Sequence, residues 1–357
     1  MKKIYLIFAI VLVQTFWSCK TDENSSEKNY KISVGTDEDD ILDSSTIYDD
    51  TKILESVFVI ENEGAEIKQL DNENSKTIGK LNYADKLDII EFKSNWLGVK
   101  EIVTCEFENN GEKIKRTFWD KVYVKRSSTG KISDIKLNNQ NLLLVKGKNI
   151  NEKAENSINN KPITDYISIE LVEKDEFNNK KSSSNKSFIV DTADIKKNNG
   201  IIELICGNKI VKFEDKLTED DEEQEFSYIG QFQILNQYLI SCTYYEDYEY
   251  KLIDKFNGSE LNIIDFPFLS QDNKHILCVK IDPYSISTDI ELYNIKNNQI
   301  KLEMRTYFEN WMPVTDKEEM FWSADGYFYI PVLHIAILSY DRNNKKNKLQ
   351  YLKIKIL

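Results

Sequence analysis

Histidine is nearly missing from this chain: His275 and His334 are the only two in 357 residues. Each stands in apolar, strand-like text with no second histidine at ligand spacing, so the sequence nominates no metal site and a structural role is expected for both. No glycine-rich loop has the pattern that cradles a phosphate or a dinucleotide, so no cofactor is expected. No Ser-His-Asp or Cys-His arrangement can be defended, and no catalytic residue is named. Proline is scarce too, at 5. Positive charge is in deficit: 47 Lys and Arg against 60 Asp and Glu leave a net charge of -13. Nucleic-acid backbones and anionic headgroups repel such a chain, and no basic patch with interleaved aromatics offsets this, so no nucleic acid is expected as a partner. Paired carboxylates could hydrolyse a glycosidic bond, but among so many acids a pair can always be drawn.

What is present is a globular composition, with 41% hydrophobic and 30% charged residues. The length allows two or three domains of roughly 100–200 residues each. The one long apolar run is Ile4 to Phe16, broken only by Gln14 and Thr15 and preceded by Lys2 and Lys3. It has the length of a signal peptide and is too short for a comfortable permanent bilayer span. It ends in Phe16-Trp17-Ser18-Cys19, which resembles the lipobox of bacterial lipoproteins, with Phe16 and Trp17 bulkier than the usual Leu and Ala or Ser. The resemblance implies that residues 1–18 are removed, that Cys19 is lipidated, and that the protein is anchored in the cell envelope, at the outer membrane, periplasmic or surface-exposed. Lys20 with Asp22 and Glu23 is similar to surface-export signals on lipoproteins of some Gram-negative groups. Residues 19–54, with Asp37 to Asp40 and Asp49-Asp50, read as an acidic tether. A calcium loop is the alternative, but the spacing lacks its central glycine.

Residues 55–127 change to short alternating strands. Ser56–Ile60, Ala65–Lys68, Thr77–Leu81, Lys86–Glu91 and Asn95–Lys100 follow one another, and a polar hairpin at Asn109-Asn110-Gly111 leads to Phe118-Trp119 and Val122–Val124. Five or six strands in so short a stretch predict a small barrel. The order Ala-x-Ile-Lys, Ile-Gly-x-Leu, Leu-x-Ile, Trp-x-x-Val and an aromatic before Val resembles a bacterial SH3-like (SH3b) domain. Ala84 stands where that family usually has Gly, and no Gly precedes Trp119. The family commonly binds cell-wall peptide or protein segments, so the resemblance implies a ligand groove near Trp96, Trp119, Tyr83 and Tyr123. Packing of Trp96 inside the barrel is the competing expectation.

Residues 128–357 are repetitive. Asn236–Cys242 parallels Asn273–Cys278, and each is followed by another strand (Tyr250–Asp254, Ile290–Asn294) and a polar turn (Asn257-Gly258, Asn297-Asn298). A looser copy runs from Asp325–Ile330 to Leu338–Asp341, and an earlier one begins at Asn199. Cys206, Cys242 and Cys278 recur every 36 residues. Leu269–Lys274 and Trp322–Gly326 resemble the Ser-Pro-Asp-Gly-Lys turn of propeller (WD40/PD40-type) repeats, which implies a propeller-like domain; a β-sandwich or an open stack of sheets stays open. Lys146–Asn160, Glu173–Lys186 and Glu214–Glu225 read as surface loops. Tyr244 to Tyr250 reads as an aromatic-rich strand, a ligand platform or a strand with half its rings in the core.

Beyond Cys19 four cysteines remain, enough for two disulfides in three pairings. Their apolar setting and the period of three of them favour buried free thiols. The expectation is thus an all-β chain: an SH3-like barrel, then a repetitive antiparallel region, serving as a non-enzymatic envelope lipoprotein that binds cell-wall peptide or a protein partner. The alternatives are a carboxylate-based glycan hydrolase in the repeats, marked by two convergent acids in a deep pocket, and an immunity or inhibitor lipoprotein.

Overall fold

The structure, a computed structural model, describes residues 31–32, 51–109, 112–145, 161–181, 188–218, 222–245, 247–282, 287–313, 319–341 and 348–357. Cys19 and the expected signal segment lie outside the described residues. The described residues are mostly strand, in five sheets that are antiparallel apart from one parallel pair.

The first sheet contains β1 (Lys31–Ile32), β2 (Glu55–Val59), β3 (Ala65–Lys68), β4 (Thr77–Leu81), β5 (Lys86–Phe92), β6 (Trp96–Asn109), β7 (Glu112–Lys125) and β8 (Thr129–Gly130). Its order is β4-β3-β7-β6-β5-β2-β8, with β1 parallel to β6. Period-two alternation sends one set of side chains to one face. Val59, Ile67, Leu81, Leu87, Ile89, Val99, Val122 and Val124 are all at most 1% exposed. They come from strands near both edges of the sheet yet form one cluster, so the sheet curls around its own core. The sheet is not closed: β4 and β8 remain its edges among the described residues. The expected small barrel is corrected in a second respect. β6 and β7 run 14 residues each, against about 5–6 for a usual strand. From Glu101 onward β6 pairs only with β7 and β1, while Val103 still enters the core cluster.

The rest of the chain adds β9 (Ile167–Val172), β10 (Ile201–Cys206), β11 (Lys209–Glu214), β12 (Gln224–Phe232), β13 (Gln237–Tyr244), β14 (Tyr248–Asp254) and β15 (Glu260–Ile263). Then come β16 (Pro267–Leu269), β17 (His275–Asp282), β18 (Ser287–Lys296), β19 (Gln299–Phe308), β20 (Trp311–Pro313), β21 (Phe321–Trp322), β22 (Phe328–His334) and β23 (Gln350–Ile356). They form the sheets β10-β11, β12-β13-β14-β15, β16-β17-β18-β19 and β20-β22-β23-β9, with β21 beside β22. Successive sheets share apolar layers. Leu204 and Ile202 meet Phe226 and Ile240; Leu239 and Leu252 meet Ile276 and Tyr293; Leu277 and Leu292 meet Ile330 and Leu352. The neighbours Leu239 and Ile240, and likewise Ile276 and Leu277, point to opposite layers. Middle sheets therefore carry apolar residues on both faces. The last sheet is completed by β9, which pairs with β23 from Val172↔Tyr351 to Ile167↔Ile356.

The repeats are visible in the turns. Asn199, Asn236, Asn273 and Gly326 have φ of 50°, 55°, 58° and 81°, and each stands just before β10, β13, β17 or β22. Asparagine and glycine tolerate that left-handed geometry best. The repeats also share a cross-strand pair: Cys242 lies opposite Glu249, and Cys278 opposite Glu291. Cys206, Cys242 and Cys278 are free and buried, while the Cys105 side chain lies outside the described residues.

Three local expectations fail. Leu338 to Tyr340 belongs to a helix, Ile335–Tyr340, capped by His334, whose Nδ1 accepts the Ala336 N–H. A short apolar run fits either structure until its cap is known. Glu173–Lys186 holds a helix, Lys174–Lys181, because Phe177 is buried against Phe321, Tyr329 and Tyr351. Tyr244 to Tyr250 is the end of a hairpin rather than one strand, with Thr243 opposite Tyr248.

Candidate functional site

The four aromatic residues singled out in the sequence do not converge. Trp96, Trp119 and Tyr123 share one face, and Tyr83 lies elsewhere. On β6 and β7, Leu97, Val99, Val103, Val122 and Val124 enter the core. Alternation therefore sends Trp96, Gly98, Lys100 and Ile102, with Lys121 and Tyr123, to the outer face. Register places Trp96 opposite Lys125, Gly98 opposite Tyr123, Lys100 opposite Lys121 and Ile102 opposite Trp119.

Their exposure divides this outer face in two. Trp96 is 7% exposed and Tyr123 9%, so neither offers a free ring face. Tyr123 donates its hydroxyl to Glu91 Oε2 at 3.2 Å, and Glu91 also pairs with Lys121 at 3.1 Å. Burial holds the Tyr123 phenol above its ordinary pKa, assisted by the Glu91 charge. Gly98 has to be small here, because a Cβ would stand 2.9 Å from the Glu91 side chain. The competing expectation for Trp96 is right about burial but not about side: it is covered on the face away from the core cluster.

Trp119 is different. It is 37% exposed, its cross-strand partner Ile102 is 38% exposed, and the Lys100 ammonium stands 4.8 Å from the indole centroid. An indole, an aliphatic side chain and a cation held side by side on β6 and β7 form an amphipathic patch that can take an apolar side chain and an acceptor together. Ile102 and Lys100 escaped the sequence reading, although their two-residue spacing from Trp96 carries the signal.

Tyr83 sits at the join between the curled sheet and the last sheet. Its hydroxyl donates to the Lys136 carbonyl at 2.8 Å and accepts the Lys136 N–H at 2.7 Å. Burial raises its pKa, and Asp134 adds to the rise. It is a positioning contact between parts of the chain rather than a wall of the Trp119 patch.

Two buried carboxylates stand between the β12–β15 and β16–β19 sheets. Glu291 is 0% exposed and accepts from Tyr293 Oη at 2.6 Å, Ile264 N at 3.1 Å and the Arg305 guanidinium. Asp265 is 2% exposed and accepts from Tyr248 Oη at 2.8 Å and Phe266 N. Neither lines the cavity beside Tyr238 or the cleft beside Tyr83. Among the described residues, no three His, Cys, Asp or Glu gather to hold a metal, and no helix is long and apolar enough to cross a membrane. Compared with family models, with curated proteins and with solved structures, the chain matches none.

Proposed function

We propose that this chain is a non-enzymatic, lipid-anchored binding protein of the cell envelope. It engages a peptide segment of the cell wall or of an envelope protein through the outer face of the β6–β7 ribbon. The observation that carries this reading is the pairing of half-exposed Trp119 and Ile102 with Lys100 on the outer face of β6 and β7. Exposed aromatic anchors beside a cation are the side chains that dominate binding surfaces.

The architecture in this reading is an SH3-like module followed by a propeller-like region. The curled sheet around one apolar cluster supports the first. Four sheets stacked in chain order, and completion of the last by β9 from the start of that region, support the second. Cys19 is the lipid attachment point, and the acidic segment after it spaces the folded part from the membrane. Two or more acyl chains suffice for lasting attachment, each buried methylene contributing roughly 0.8 kcal/mol.

Residues 20–357 with Cys19 replaced are incubated with purified sacculi and pelleted, beside the same chain carrying Trp119→Ala. Pelleting that Trp119→Ala abolishes is the expected result. Pelleting by neither turns the search to a protein partner, and equal pelleting by both removes the ribbon as the contact. In cells, Cys19→Ser releases the protein from the membrane fraction; its retention there would overturn the anchor.

A further inference from the structure

We propose that the free edge of β10 takes a short extended peptide of a partner protein, added as an antiparallel strand and apolar at alternate positions. The β10-β11 sheet has two strands, where the next two sheets have four. The Asp215 N–H bonds the Gly200 carbonyl at 2.8 Å. With the register Ile202↔Phe213, Leu204↔Val211 and Cys206↔Lys209, this fixes which backbone groups face β11. Those of Ile202, Leu204 and Cys206 do, and those of Ile201, Glu203 and Ile205 point away from it. Ile201 is closed on Asn198 by two backbone bonds of 3.0 and 2.9 Å, and the Ile205 carbonyl accepts the Tyr238 hydroxyl at 3.2 Å. The N–H and carbonyl of Glu203 and the N–H of Ile205 meet no partner among the described residues.

The next two sheets show what belongs at that edge. Counted from the recurring cysteine, Ile205 matches Ser241 and Leu277, and Glu203 matches Leu239 and His275. The Lys255 N–H on the Asn236 carbonyl fixes the same parity in β13, so Leu239 and Ser241 turn their backbone groups to β12. His275 and Leu277 turn theirs toward β16, where the Ser270 N–H bonds the His275 carbonyl at 2.9 Å. Beside β10 the matching place is open: a cleft of about 690 Å³ is lined by Ile201, Glu203 and Ile205 together with Ile195, Lys196 and Tyr238. Ile195 and Tyr238 are partly buried and pack against the layer that holds Ile202, Leu204, Phe226 and Tyr228. On a strand bonded at Glu203, the residues opposite Ile202 and Leu204 point into this layer, as Phe226 and Tyr228 of β12 do. That sets apolar side chains at alternate positions of the peptide. Glu203 and Lys196, of opposite sign, select no charge for the residue between them. An unpaired strand edge is a template for one more strand, and addition of an extended peptide to it is a recurring mode of recognition.

The test uses residues 20–357 with Cys19→Ser and the capped peptide Ac-Ser-Val-Thr-Val-Ser-NH2, titrated while backbone hydrogen exchange is followed through residues 201–206. Saturable binding is expected, with exchange at the Glu203 and Ile205 amides slowed at least tenfold. N-methylation of the central threonine removes the N–H that meets the Glu203 carbonyl and should weaken binding at least tenfold. Aspartate in place of both valines should do the same. Ile205→Pro removes an edge N–H that β11 does not use, on a side chain that is 70% exposed. It should abolish binding, and the N-methyl peptide carries the same test if that variant fails to fold. Trp119→Ala should leave binding unchanged, which separates this edge from the β6–β7 face. No binding, equal binding of the N-methyl peptide, undiminished binding to folded Ile205→Pro, or protection confined to residues outside 201–206 would each overturn the proposal. So would a dimer of the peptide-free chain that Ile205→Pro dissociates, because the occupant of the edge would then be a second copy.

Discussion

The Tyr83 and His334 rings meet edge to face, 5.7 Å apart at an interplanar angle of 79°. One belongs to the curled sheet and the other ends the strand β22, so this contact ties the two parts of the molecule together. Phe58, Ala84, Ile135 and Ala336 pack beside it, and Phe58 meets Tyr340 at 5.4 Å.

Tyr83→Phe keeps the ring contact and removes both hydrogen bonds to Lys136. At about 1 kcal/mol for each neutral bond, a loss of ~2 kcal/mol is expected in urea unfolding. An unchanged midpoint would mean that the hydroxyl bonds are replaced by water at no cost.

His334 makes stability depend on acidity. Its folded pKa is about 4, against 6.5 when free, so the unfolded chain takes up the proton first. The contribution is complete above the unfolded value of 6.5 and is lost as pH falls through the window down to about 4. At 1.36 kcal/mol per pKa unit the span is of order 3 kcal/mol. His334→Asn keeps a capping acceptor and should flatten that part of the pH profile; an equally steep profile in the variant would assign the loss to other groups.

Glu291 is buried while the side chain of its partner Arg305 is 40% exposed. Arg305→Met leaves the carboxylate without its cation, and a loss of about 3 kcal/mol is expected, the low end for breaking a buried pair because solvent reaches the guanidinium side. Glu291→Gln in the same background should recover part of it. Thermal unfolding of the single and double variants measures the coupling.

Ala84 adopts φ of 65°, at a position where the SH3-like resemblance expects glycine. A side chain in that conformation costs about 1–2 kcal/mol, against roughly 0.8 kcal/mol for one buried methyl-sized group. Ala84→Gly should therefore hold or raise the melting temperature. A clear fall would show that the methyl packing against Phe58 and Ile135 outweighs the backbone.

Cys206, Cys242 and Cys278 are all 0% exposed. Burial pushes the Cys242 thiol up to about 12 and raises that of Cys206. Since the thiolate is the nucleophile, none of the three should react with iodoacetamide in the native protein, and all should react in urea. Peptide mapping that finds rapid native labelling at any of them would contradict their burial.

Much of the curled sheet was legible in the sequence. Ala65–Lys68 and Thr77–Leu81 are strands to the residue, because alternation and flanking polar turns act over a few residues. The break at Asn109 falls where the Asn-Asn-Gly text places it. The repeats were legible for the same reason: an asparagine or glycine that accepts positive φ is a local property. Local text failed where a tertiary contact decides. The apolar run Ile335–Tyr340 becomes helix under the His334 cap, and Lys174–Lys181 becomes helix because Phe177 finds an aromatic layer.

The sequence by itself determined the all-β class, the positions of most strands of the curled sheet and the burial of Cys206, Cys242 and Cys278, since each rests on short-range pattern and composition. Only the tertiary structure decided that β9 pairs with β23, that the sheets stack on both faces, and that Trp96 and Trp119 differ in exposure. Those outcomes depend on which distant surfaces exclude water from one another, and no window of neighbouring residues carries that information.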